Sequence, residues 1–207
     1  FEKALAIYEK TLGPDHPNIA TTYNNIAGIY FQQGKYGKAL EWFEKALAIY
    51  EKTLGPDHPN TAMTCNNIAG IYTDQMKYKE ALKWHKKALV IRERVLPPDH
   101  LDTAFTYNRI AMVYSDLGKS DKALEWFKKA LAICKKVLGT EHPDTATSYN
   151  NIAAIYGNQG EYDKALEWFG KALAIRVKIL GPDHPATARI YNNIAKIRQL
   201  REIMKRH

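Results

Sequence analysis

The sequence predicts an all-α fold, a solenoid of stacked helical hairpins built from about five units of 42 residues. Three observations predict it. The string LGPDHP occurs at residues 12–17, 54–59 and 180–185, with LPPDHL at 96–101 and LGTEHP at 138–143. His16, His58, His100, His142 and His184 follow one another at 42 residues without a slip, and Trp42, Trp84, Trp126 and Trp168 keep the same interval. Between these turns apolar residues recur at helical spacing, in stripes that no single hairpin can bury, so successive hairpins must stack.

Taken in order, residues 1–17 hold a half repeat with a second-type helix only. Complete repeats follow at 18–59, 60–101, 102–143 and 144–185, and 186–207 form a terminal first-type helix, all within one domain spanning 1–207. In the first complete repeat, residues 18–33 place Ala20, Tyr23, Ile26, Ala27 and Tyr30 on one stripe. Gly34 ends that helix at a position suited to left-handed backbone. A second helix runs from Tyr36 to about Leu54, with Ala39, Leu40, Phe43, Ala46, Leu47 and Tyr50 inward, and Gly55-Pro56 stops it. Asp57 or His58 is placed to accept from the exposed amides of the next helix, whose first turn suits Pro59. Ten helices and no strand are expected.

The departures carry information. Pro97 replaces the turn glycine in the third turn, and Arg109 stands where other repeats have the second Asn of a pair. Met76 stands where Gly34, Gly118 and Gly160 stand, which predicts a looser hairpin turn there. Glu202 occupies the last such glycine position, so the final helix should outrun the repeat as a cap.

Counted from Ala20, the pattern Tyr23, Ile26, Ala27, Tyr30, Gly34, Ala39, Phe43, Ala46 resembles the tetratricopeptide repeat signature. Eight residues beyond the usual length add about two turns at ~3.6 residues each to the second helix. With the YNNIAxIY helix and the LGPDHPxTA turn, the array is similar to the 42-residue repeats of the kinesin light chain type. That resemblance implies a right-handed α-α superhelix whose first helices line a concave, peptide-binding groove.

Composition excludes several classes. At 45% hydrophobic and 25% charged the chain reads as globular, and no stretch approaches the ~18 apolar residues of a membrane span. Residue 1 is Phe with no basic-then-apolar leader behind it, so no signal peptide is expected. Cys65 and Cys134 form no CxxC, which excludes a disulfide scaffold and favours a reducing compartment such as the cytoplasm. The equivalent histidines lie a whole hairpin apart, too far to share one zinc at ~2.0–2.1 Å, and serve as turn or capping residues. Gly28 to Lys35 only superficially resembles a phosphate loop: its spacing is wrong, Tyr36 follows the lysine, and it lies in a helix. No nucleophile–base or metal motif remains, so neither an enzyme nor a cofactor is expected. His85 replaces Phe at the core edge, and Cys65 and Cys134 read as small packing residues.

Asparagine forms helices poorly, yet Asn24, Asn66, Asn108, Asn150 and Asn192 recur in mid-helix. Two readings stay open and can coexist. In one, each amide bonds a neighbouring hairpin. In the other, which the resemblance implies, the five form a ladder that offers donor and acceptor to the backbone of an extended peptide. By the same carry-over, Met63, Phe105 and Met112 with Arg109 make an adaptable apolar mid-groove, the alternative being that these Met and Phe side chains fill gaps between hairpins, while Arg189 and Lys196 make a basic end.

The expected partner is therefore a protein or peptide with an apolar anchor and acidic groups. Two alternatives stand beside it: a nucleic-acid-binding repeat, prompted by the net charge of +8, and an architectural array that associates head to tail. The charge is local. Residues 1–188 carry 24 basic against 21 acidic side chains, whereas the last 19 residues carry six against Glu202 alone. An acidic contact at that end, or a soluble cap, fits this better than a phosphate track.

Overall fold

The computed structural model describes residues 2–206. Phe1 and His207, which the sequence assigns to the first and last elements, lie outside the described residues. Among the described residues there are ten α-helices and no strand: α1 (Glu2–Leu12), α2 (Pro17–Gln32), α3 (Tyr36–Thr53), α4 (Pro59–Asp74), α5 (Tyr78–Val95), α6 (Leu101–Asp116), α7 (Ser120–Leu138), α8 (Pro143–Asn158), α9 (Tyr162–Leu180) and α10 (Pro185–Lys205). The chain divides into two compact units, Phe1–Pro98 and Asp99–His207. The hairpins α2–α3 and α4–α5 pack within the first unit, and α6–α7 and α8–α9 within the second. No helix of the described residues is long and apolar enough to cross a membrane.

Alanine sets the helix spacing. Ala20, Ala62 and Ala146, then Ala39, Ala81, Ala123 and Ala165, then Ala46, Ala88, Ala130 and Ala172 are all fully buried, because only a methyl group fits where helices approach most closely. Larger side chains fill the spaces between. In the first unit Phe43, Leu47, Ile68, Ile71 and Ile91 form one core and Ile19, Ile49 and Tyr50 another. In the second, Phe127, Ile133, Ile152 and Phe169 are buried.

The turns between repeats follow one scheme. Each turn histidine, not the aspartate before it, caps the next helix. Nδ1 of His16, His58, His100, His142 and His184 accepts from the backbone N–H two residues on, at 3.2, 3.1, 3.0, 3.1 and 3.1 Å. The neighbouring acid instead accepts from a base 37 residues later, at the end of the following second-type helix. Asp57 meets Arg94 at 2.6 Å and Glu141 meets Lys178 at 2.6 Å, and Asp15 and Asp99 pair likewise with Lys52 and Lys136. Left-handed Gly55, Gly139 and Gly181 turn their carbonyls toward Thr61, Thr145 and Thr187, whose hydroxyls donate to them at 3.1, 2.8 and 2.9 Å.

Pro97 breaks this scheme. Its ring fixes φ near −65° and biases the preceding Leu96 to extended backbone, observed at φ −105°, ψ 154°. The equivalent hydroxyl, on buried Thr103, has no hydrogen-bond partner.

The hairpin turn at Met76 corrects the expectation of a looser turn. Met76 adopts φ +58°, beside +69° for Gly34 and +68° for Gly118. Its N–H donates to Thr73 and that of Lys77 to Tyr72, both at 2.8 Å, matching the 2.9 Å bonds of Gly34 and Lys35. Two hydrogen bonds and the packing of both helices hold the turn closed, and the backbone carries the strain.

Candidate functional site

The first-type helices keep one stripe in solvent. On α2 and α4 of the first unit it includes Thr21, Asn25 and Met63. Asn24 and Asn66 lie beneath that stripe and are buried. The Asn24 amide donates to the Thr64 hydroxyl of α4 at 3.1 Å and to the Ala20 carbonyl at 3.3 Å. Oδ1 of Asn66 lies 2.7 Å from Nδ1 of His85 on α5. His85 is 1% exposed, so it is a core residue with a polar partner, deeper than the core edge expected of it.

In the second unit the stripe of α6 carries Phe105, Arg109 and Met112 at helical spacing, all exposed, with the guanidinium 4.8 Å from the Phe105 ring centre. On α10 Arg189, Asn192 and Lys196 are exposed. Asn150 is half-buried and accepts from the Asn193 amide at 3.4 Å. Asn108 is also half-buried, but its Oδ1 is shielded from water and has no partner.

Two clefts open on this stripe. One, of about 280 Å³, is lined by Leu101, Ala104, Phe105, Asn108, Cys134, Leu138, Asp144 and Thr147. It exists because Cys134 stands where other repeats have Tyr50, Arg92 and Arg176. Tyr50 reaches Thr21 at 2.9 Å and Arg176 reaches Thr147 at 2.7 Å, each bridging second-type helix to first. Here the thiol is short and Phe105, at the position of Thr21 and Thr147, carries no hydroxyl, so no such bridge spans the two helices. The second cleft, of about 210 Å³, is lined by residues including Thr147, Asn150, Arg176, Arg189 and Asn193. Thr147 borders both, so an apolar cleft adjoins a basic one. Burial raises the Cys134 thiol above its ordinary range and pushes Cys65 up to about 11, so both stay protonated and unreactive at neutral pH. No group of three or more His, Cys, Asp or Glu side chains among the described residues is arranged to hold a metal.

A family model described as tetratricopeptide repeat matches residues 1–52, 18–69, 61–136, 102–176 and 144–202. The chain belongs to the tetratricopeptide repeat family. Its repeats are similar to those of a crystal structure of nearly identical TPR-like repeats described as kinesin light chain from Podosopora anserina. That likeness has 26% identity and a TM-score of 0.78, covering 92% of this chain and 90% of that one. BtubC (BKLC) from P. vanneervenii shares the fold, with a TM-score of 0.83 at 20% identity over 97% of this chain and 80% of that one. MamA shares it more loosely, at 0.60 and 19% over 90% and 85%. No curated protein matches the sequence significantly. Tetratricopeptide repeats are, as a family, protein–protein interaction modules and typically non-enzymatic.

Within this repeat array the residues named from sequence fall into two groups. Phe105, Asn108, Arg109, Met112, Asn150, Arg189, Asn192 and Lys196 lie on α6, α8 and α10 of one unit, and Met63 is exposed on the other. Asn24 and Asn66 spend their amides inside the first unit. Sequence reasoning passed over Leu138, Asp144 and Arg176 as cleft residues. The signal for them was Cys134, the one short side chain in a series of long ones.

Proposed function

We propose that the chain is a non-enzymatic interaction module that binds an extended peptide segment of a partner protein along α6, α8 and α10. One observation carries the reading: the apolar cleft at Phe105, Cys134 and Leu138 adjoins the basic cleft at Arg176 and Arg189. An apolar side chain of the ligand fills the first, burying surface against Phe105 and Leu138. A carboxylate one or two residues along reaches Arg189 and the Asn193 amide in the second, where a guanidinium–carboxylate contact sets register. Asn108, Asn150 and Asn192 offer amides to the ligand backbone, Asn108 once its shielded, unpartnered Oδ1 rotates out toward the cleft. A few such anchors dominate binding energy. The same module suits an adaptor or the sensor arm of a larger protein, and its two unpaired, buried cysteines suit the cytoplasm.

Fluorescence anisotropy against peptides that vary an apolar and an acidic position tests this. Cys134→Tyr, which fills the cleft with a ring at the position of Tyr50, should abolish the preference for a bulky apolar residue, and Arg189→Glu should weaken acidic peptides about tenfold. Equal binding of every peptide by all three proteins would refute the reading.

A further inference from the structure

The outward stripes of α3, α7 and α9 share a glutamate at the second position and an alanine at the fourth, and α5 departs from both. In α3 the stripe reads Gly37, Glu41, Glu44, Ala48; in α7 Asp121, Glu125, Lys128, Ala132; in α9 Asp163, Glu167, Gly170, Ala174. In α5 it reads Lys79, Lys83, Lys86, Val90. Three of four positions have become lysine on a single helix, and the fourth has grown from Ala to Val. The change removes a recurring ion pair. Glu41, Glu125 and Glu167 pair with Lys45, Lys129 and Lys171 four residues on, at 2.6, 2.8 and 2.6 Å. Lys83 faces Lys87 instead, and Lys87 turns to Glu51 of α3 at 2.8 Å. Among the described residues no carboxylate lies within ion-pair distance of Lys79, Lys83 or Lys86, and all three are exposed. At either end of the lysine row an apolar side chain stands in solvent, Met76 at 75% exposure and Val90 at 52%.

We propose that this face of α5 is a second docking surface, for an acidic polypeptide segment with an apolar residue at each end. The three ammonium groups span about 10 Å along the helix at a rise of ~1.5 Å per residue. Carboxylates presented at i, i+4 and i+7 of a partner helix match that row. Unpaired like charges on one stripe repel one another, so neutralising them is favourable in a way that the paired stripes of α3, α7 and α9 do not offer. The chemistry favours polypeptide over the other polyanions. The apolar residues sit at opposite ends, too far apart to make the continuous apolar face that seats a helix in a bilayer. The aromatics of α5, Tyr78 and Trp84, are both half-buried, Trp84 under the Lys87 ammonium at 5.3 Å, so no fully exposed ring is offered for base stacking. The surface belongs to the first unit and the clefts of α6, α8 and α10 to the second, and neither proposal requires the other.

The test uses the whole chain and a fluorescein-labelled helical peptide bearing three glutamates at i, i+4 and i+7 between two leucines. The expected result is saturable binding that weakens as salt rises, reduced about tenfold in Lys83→Glu/Lys86→Glu. That variant carries the residues α3 already has, so it keeps the fold, which far-ultraviolet circular dichroism checks. Cys134→Tyr should leave this binding unchanged. No binding, or equal binding by the double variant, overturns the proposal. So does preferential binding to phosphatidylserine vesicles or to single-stranded RNA over the acidic peptide.

Discussion

Met76 is the non-glycine residue with positive φ among the described residues, and it offers a direct measurement of what that conformation costs. A side chain in left-handed backbone costs roughly 1–2 kcal/mol from the clash of Cβ with the following carbonyl. Glycine removes that clash but adds about 0.5–1 kcal/mol of conformational freedom to the unfolded chain. With 75% of the Met76 surface already in water, the substitution sacrifices little packing. Met76→Gly should therefore stabilise the first unit by about 0.5–1 kcal/mol, a rise in Tm of roughly 1–4 °C for a chain of this length. Melting followed by circular dichroism at 222 nm reads the shift, with Met76→Ala as control, since alanine keeps Cβ and should gain little. The reciprocal change, Gly34→Met, should lower Tm by a similar amount. If Met76→Gly melts at or below the parent temperature, the strain assigned to this turn is wrong.

The threonine scheme of the inter-repeat turns predicts an asymmetry: Thr145→Val loses the 2.8 Å bond to Gly139 and should cost about 1 kcal/mol in urea unfolding, whereas Thr103→Val removes a hydroxyl with no partner and should be neutral or stabilising. Asn66→Ala withdraws the oxygen 2.7 Å from the buried His85 ring and should cost about 1–3 kcal/mol, while Asn192→Ala, on an exposed residue, should stay within about 0.5 kcal/mol. The Cys65 thiol holds its proton to about 11 in the folded chain, against 9.0 for an ordinary thiol. Unfolding above pH 9 therefore releases a proton, and the contribution of the buried thiol, complete below pH 9, is lost as pH rises towards 11. Guanidinium midpoints of the parent should fall over that range more steeply than those of Cys65→Ser. Equal slopes would remove Cys65 as the cause.

The helices were legible because their punctuation repeats. Five histidines at one interval fix the phase, and glycine, proline and the apolar stripes then place every helix to within a residue or two. Asp57 and His58 could not be told apart in the same way, since both side chains accept at a helix start. Only the folded chain brings Arg94 to Asp57 and leaves the capping position to the imidazole. The asparagines were harder for a related reason. Adjacent residues on a helix point about 100° apart, so Asn24 turns inward while Asn25 faces water, and a pattern of letters carries no inside or outside at that resolution. The apolar cleft was hidden for a third reason: it is made by what Cys134 lacks, and a missing bridge appears in a sequence only when the equivalent residues are compared for length.

The straps between turn acid and helix end close over 37 residues, the Asn24–Thr64 bond over 40 and the Asn150–Asn193 bond over 43. Each of these ties fastens a hairpin to itself or to the next one along, so a tethered molecule pulled from both ends meets resistance one hairpin at a time. Each rupture frees 42 residues, about 140–150 Å of extended chain. A force–extension trace should therefore be a sawtooth of evenly spaced teeth, with lengths that report the sequence period. The array then behaves as a mechanical fuse that yields in equal increments.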